Sequence, residues 1–175
     1  ALFNFFIQIV ILVGATFLVG KPPWGTRLGY AVLATLIVLI WGTAFALLLS
    51  AINVYLRDVQ YLVEIALLWG MWSAPIVYQW PQVSVHLGHG IIEKVFLCNP
   101  VTEAVLGFHR AFWVAGDKPS PVSVGSGQSA HVVSVSNYPD NMATYMIAIC
   151  VVGVVFTWIC QRVFARLQDN FAQEL

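Results

Sequence analysis

Residues 50–78 open with Ser50-Ala51-Ile52-Asn53-Val54-Tyr55-Leu56-Arg57-Asp58 and close, after an apolar run, on Ser73-Ala74-Pro75-Ile76-Val77-Tyr78. An Asn and an adjacent Arg-Asp pair stand between two stretches long enough to cross a bilayer. There a charge pair reaches headgroups and water while its neighbours are buried in lipid. The stretch predicts an all-α polytopic membrane protein with a polar elbow at Asn53, Arg57 and Asp58.

Working outward, composition agrees. The 175 residues are 59% hydrophobic, 9% charged and 14% aromatic, with a mean hydropathy of +0.81, far from an ordinary soluble domain. Eight basic and eight acidic residues cancel without a run of either sign, which argues against a nucleic-acid surface. Cys98, Cys150 and Cys160 share no close spacing and read as small apolar residues rather than metal ligands or a disulfide framework. The chain begins Ala1-Leu2-Phe3 and enters an apolar stretch without a charged leader, so the sequence reads as a fragment whose natural start lies upstream.

A helix needs about 20 apolar residues to cross a hydrocarbon core roughly 30 Å thick, and four stretches qualify: residues 1–20, 28–52, 61–79 and 141–161. Pro22 and Pro23 separate the first two by removing donors and forbidding the α region before them. Four crossings place the elbow and the tail, residues 162–175, on one side. Loop charge favours a cytoplasmic tail, with Arg57, Arg162 and Arg166 against Lys21 and Arg27.

Residues 80–140 divide into two parts. In 90–114, Asn99 is an expected N-cap with Pro100 at the first helical position. Val101, Ala104, Val105, Phe108, Ala111 and Phe112 follow a helical stripe, with Thr102, Glu103, His109 and Arg110 assigned to other faces. A helix too short and charged to span would lie along the interface or re-enter it. Residues 116–141, rich in Gly, Ser and Pro, read as an exposed loop with a small hairpin near Val132–Ser136.

Catalytic signatures fail on spacing. Gly14 to Lys21 imitates a phosphate loop, but five residues separate the glycines and Pro22 follows the lysine. His86 and His89 lack a third metal ligand at useful spacing, and His109 has no nucleophile beside it. Glu64, an acid inside a span, is read as an interfacial carboxylate near Arg57, with proton coupling as the functional alternative. Trp69, Trp72, Tyr78 and Trp80 fit an aromatic belt, and they also fit stacking on sugar rings in a glycan path.

Four elements in order, Asn53-Val-x-x-Arg57-Asp58, Ser73-x-Pro75-Ile-x-Tyr78, Asn99-Pro100-Val-Thr followed by Arg110, and Phe164-x-Arg166 with Phe171, Ala172, Glu174 and Leu175, resemble the membrane subunit of ABC-2 type polysaccharide exporters. This family comprises the O-antigen, teichoic acid and galactan transporters, and the flavour is that of an actinobacterial galactan exporter. The resemblance implies a type V exporter transmembrane domain of six spans, of which this chain would hold the last four. Arg57 and Asp58 would then mark a cytoplasmic turn. Extracytoplasmic gate helices around residues 90–114 would carry Asn99, Pro100, Phe108, Arg110 and Phe112, with Phe108 and Phe112 closing the outer mouth. The N-terminal interface helix, two spans and the coupling helix would be missing, and the 116–141 insertion is longer than the family pattern.

The resemblance implies no ATP site or other cofactor in this chain; ATP and Mg would sit in a partner ABC ATPase. A homodimer in the cytoplasmic membrane of a bacterium would enclose the path of a lipid-linked polysaccharide. The alternatives are an ABC-2 exporter of small drugs or lipids, a channel or structural subunit, and a membrane-embedded glycosyltransferase or acyltransferase using Glu103, His109 and Arg110.

Overall fold

The structure is a computed structural model and describes residues 2–20, 22–56, 58–87, 90–124 and 131–168. Lys21, Arg57, His89 and the tail residues Phe171, Glu174 and Leu175 lie outside these, so the Arg57 half of the expected elbow has no described geometry.

The described chain is mostly helical: α1 (Leu2–Leu18), α2 (Thr26–Tyr55), α3 (Val59–Ser73), α4 (Trp80–Leu87), α5 (Ile91–Leu97), α6 (Pro100–Phe112) and α7 (Met142–Leu167), with strands β1 (Ser120–Val124) and β2 (His131–Val135) between α6 and α7. Local chemistry sets these boundaries. Gly20, at φ 73°, takes the left-handed conformation that ends α1, and its N–H closes on the Phe17 carbonyl at 3.1 Å. Pro75 forces Ala74 into an extended conformation (φ −114°, ψ 153°), so α3 stops at Ser73. Asn99 caps α6 as expected: its Oδ1 accepts from the Val101 N–H at 3.0 Å, with Pro100 next in line.

Two helices, α2 and α7, are long and apolar enough to cross a membrane. Only 17% and 22% of their most apolar windows are buried, so most of their apolar surface is left uncovered by the described chain. Leu36, Phe45, Val151, Val154, Val155 and Trp158 face outward. The other two expected spans yield shorter helices, α1 of 17 residues and α3 of 15, below the roughly 20 that a crossing requires.

The body of the fold is α2 with α6 and α7 laid against it. Trp41 of α2 donates from Nε1 to the Ile149 carbonyl at 3.2 Å and stacks on Phe156 at 5.3 Å. The Thr157 hydroxyl donates to the neighbouring Ile40 carbonyl at 3.2 Å. Arg27 and Tyr30 share a cleft with Asn141, Ala34 and Met146 meet at the same position of α6, and Phe45 contacts Phe156, so α2 and α7 run parallel. Helix α6 runs antiparallel to both. Gly107 lets it approach: a Cβ there would lie 2.9 Å from Ala34 Cβ and 2.6 Å from Met146 Cε. Such small-residue contact is how helices pack when lipid offers no hydrophobic driving force. Ile37, Leu106, Met142, Met146 and Ile149 fill the core around this seam.

The hairpin anticipated near residue 132 is present, β1 antiparallel to β2 with Ser120 opposite Val135. Asn137 secures its base, donating from Nδ2 to the carbonyls of Gly116 (3.0 Å) and Lys118 (2.6 Å). His86 occupies the last turn of α4, its Nδ1 2.7 Å from the Gln82 carbonyl.

Candidate functional site

The side chains singled out in the sequence fall into three places. At the end of α2, Asn53 is exposed; across the turn Asp58 occupies the N-cap position of α3 but makes no side-chain cap. Glu64, further along α3, is also exposed. These groups point outward and do not converge.

The four aromatics divide. Trp69 and Trp72 are 73% and 58% exposed along α3, oriented toward surroundings rather than into a path. Tyr78 and Trp80 turn inward. The Tyr78 hydroxyl donates to the Trp72 carbonyl at 3.1 Å, and both rings pack near Phe96 of α5, with centroids 6.3 Å and 6.1 Å away. Trp80 is buried.

The third place is α6, where the structure corrects the expected faces. The side buried in the fold carries Thr102, Glu103, Ala104, Leu106, Gly107 and Ala111, whereas Val101 is exposed and Val105, Phe108 and Phe112 are half-buried. Large apolar side chains mark the stripe in sequence, but close helix packing selects small ones. Glu103 and Thr102 are therefore carried inside. Thr102 Oγ1 lies 3.5 Å from the Ser73 carbonyl, and Asn99 Nδ2 donates to Ser73 Oγ at 3.1 Å. The N-terminal end of α6 is thus fastened to the C-terminal end of α3. Glu103 is fully buried, neither carboxyl oxygen has a hydrogen-bond partner among the described residues, and burial pushes its pKa up to about 8. The protonated form prevails at neutral pH, because an unpaired charge there would be strongly penalised.

Phe108 and Phe112 stack with centroids 6.3 Å apart and their planes at 16°. They form one wall of an open apolar cavity of about 390 Å³, lined also by Val13 and Phe17 of α1, Trp24, and Leu28 and Val32 of α2. At the opposite side of α6 the surface is polar. A cleft of about 470 Å³ takes in Arg27, Tyr30, Arg110, Asp117, Tyr138 and Asn141. A second of about 500 Å³ runs past Trp80, Glu93, Lys94, Tyr138 and Tyr145. Both adjoin residues 136–141, which connect the hairpin to α7.

Glu103, His109 and Arg110 do not assemble. His109 borders a cleft with Tyr78, Trp113 and Asn137, Arg110 borders the one containing Arg27, and Glu103 is sealed one turn before Gly107. Among the described residues no group of three or more His, Cys, Asp or Glu is arranged to hold a metal ion.

Sequence reading missed Tyr30 and Tyr138, the two rings around Arg110, at 4.5 Å and 5.3 Å from its guanidinium carbon. Neither lies in a motif with Arg110. The small residues Ala104, Gly107 and Ala111, at spacings of three and four, were the signal that could have identified the packed face. Compared with protein-family profiles, with curated proteins and with solved structures, the chain matches none.

Proposed function

We propose that this chain is the membrane-spanning permease subunit of an ATP-driven exporter that moves lipid-linked polysaccharide across the cytoplasmic membrane of a bacterium. The observation that carries the reading is the placement of α6. At 13 residues it is too short to cross a bilayer, yet it is set against two membrane-length helices, fastened at its N-terminal end to Ser73 and bordered toward its C-terminal end by clefts with polar groups and aromatic walls. A polar polymer on an apolar anchor needs a path with such a lining.

One copy does not enclose a channel, and the outward apolar faces of α1 and α3 suit a second copy of the chain. ATP hydrolysis belongs to a separate ATPase partner, and this chain contributes no catalytic step. The test is to purify the full-length protein from native membranes in mild detergent and identify its companions by mass spectrometry. Stoichiometric recovery of an ABC ATPase is expected. Its reproducible absence would overturn the exporter reading in favour of a channel or membrane enzyme.

The apolar cavity behind Phe108 and Phe112 favours a second reading, export of small drugs or lipids, since its volume falls in the range of small-molecule pockets. Depleting the protein separates the two. Accumulation of lipid-linked glycan supports the first, and unchanged glycan with drug or lipid retention supports the second.

A further inference from the structure

Arg110 stands half-buried where α2 and α7 begin. Its guanidinium is flanked by the rings of Tyr30 and Tyr138, and its NH1 meets Met142 Sδ at 3.8 Å, a weak acceptor. Among the described residues no carboxylate pairs with it, whereas Arg27 across the cleft is paired with Asp117. An arginine fixed between two aromatic faces with most of its donors unused is organised for an acceptor that this part of the chain does not supply.

Two further features act in the same direction. Helix α2 starts after Gly25 and α7 after Asn141; neither has a side-chain cap, and neither carries an acid in its first turn. Thr26, Arg27 and Asn141 all border the cleft, so the positive dipole ends of two long helices without side-chain caps meet beside Arg110. Tyr138 is only 8% exposed, and among the described residues its buried hydroxyl has no hydrogen-bond partner. Burial, then the Asp117 charge, raise its pKa to about 12 against the opposing pull of Arg110 and Arg27. The hydroxyl therefore stays protonated, a donor without an acceptor amid the charges of the cleft.

We propose that this cleft is a binding site for a phosphoryl group, held by the Arg110 guanidinium at the uncapped starts of α2 and α7. Helix N-termini and arginine are both well suited to holding phosphate. Position identifies the source: the cleft lies at one end of the two membrane-length helices, the level at which phospholipid phosphates are concentrated. Asp140, exposed at the rim, repels additional negative charge, so a headgroup with one phosphodiester suits the site better than a polyanion. The inference is independent of the exporter reading, because it depends on which groups meet at the helix ends and not on what crosses the membrane.

Native mass spectrometry of the full chain, released from nanodiscs containing phosphatidylglycerol and phosphatidylcholine, tests it. One phosphatidylglycerol is expected to remain bound per chain, with affinity reduced about tenfold or more in Arg110→Gln and unchanged in Arg162→Gln, which alters an arginine at the other end of α7. Tyr138→Phe, a milder variant that guards against misfolding of Arg110→Gln, is expected to weaken retention severalfold. Displacement by millimolar inorganic phosphate, without selective lipid retention, would support the phosphoryl site but assign it a soluble ligand. Equal retention of both lipids in wild type, Arg110→Gln and Tyr138→Phe, with no effect of phosphate, would overturn the proposal.

Discussion

Helices α6 and α3 are of similar length, 13 and 15 residues, and the fold treats them in opposite ways. Helix α6 is amphipathic and carries Glu103, His109 and Arg110, yet six of its residues are buried. Helix α3 is the more uniformly apolar, yet Val59 in its first turn is its buried residue, and Leu62, Ile65, Leu67, Leu68, Trp69 and Trp72 are exposed. In water this order would be inverted. It makes sense if the surroundings are apolar: an exposed Leu on α3 then carries no penalty, and burial goes to whichever helix offers small residues and polar groups to its neighbours. The two helices thus separate packing within the chain from packing against lipid or another subunit.

A glycine exchange breaks that comparison most directly. A Cβ at Gly107 meets Ala34 and Met146 inside normal contact distance, while one at Gly70 of α3 meets nothing within 4 Å. Gly107→Ala is expected to destabilise the α2–α6–α7 body by about 1–3 kcal/mol through overpacking. Gly70→Ala is expected to be neutral, or to stabilise by up to about 1 kcal/mol through helix propensity. Thermal unfolding in mild detergent, followed by tryptophan fluorescence, measures both. Equal effects would mean that α3 is packed as tightly as α6 in the assembled protein.

The acids of the same two helices sharpen the contrast. Glu103 is buried with a folded pKa of about 8, raised from 4.5 by desolvation. Between those values the unfolded carboxyl has lost its proton and the folded one keeps it, so the folded state binds more protons and stability falls as pH rises. The contribution is complete below about pH 4.5, declines by at most about 1.4 kcal/mol per pH unit, and levels off above about pH 8. Glu103→Gln is expected to remove that slope from a series of melts across the window. Glu64→Gln, on the exposed face of α3, is expected to change stability by less than about 0.5 kcal/mol at any one pH.

Much of this arrangement was legible in sequence. The break at Pro22 and Pro23, the cap at Asn99, the hairpin near Val132 and the two long apolar helices follow from local rules, because prolines, caps and apolar length act within a few residues. The expectations that failed depend on neighbours distant in sequence. The stripe through Val101, Phe108 and Phe112 obeys helical periodicity, but periodicity reports the face that water would reject and not the face that another helix selects. The Arg110 cleft draws on Arg27, Asp117 and Tyr138, from segments whose spacing carries no common motif. Helix α3 stops at Ser73 because Pro75 outweighs six further residues of suitable polarity.

The smallest expected effect concerns the two caps. Asn99 and Asp58 both precede a helix and both belong to the preferred N-cap types, but Asn99 accepts from the Val101 N–H and also reaches Ser73, while Asp58 has αR backbone angles and bonds no first-turn amide through its side chain. Asn99→Ala is expected to lower stability by about 1 kcal/mol, because it releases both the start of α6 and its fastening to α3. Asp58→Ala removes no observed cap and is expected to change stability by less than half as much. Asn99→Asp discriminates further: it preserves an oxygen for the Val101 amide but loses the amide donor to Ser73. If Asn99→Asp melts like wild type, the α3–α6 fastening contributes little and the cap accounts for the conserved energy. If it melts like Asn99→Ala, the bond to Ser73 is what holds the short helix against the end of α3.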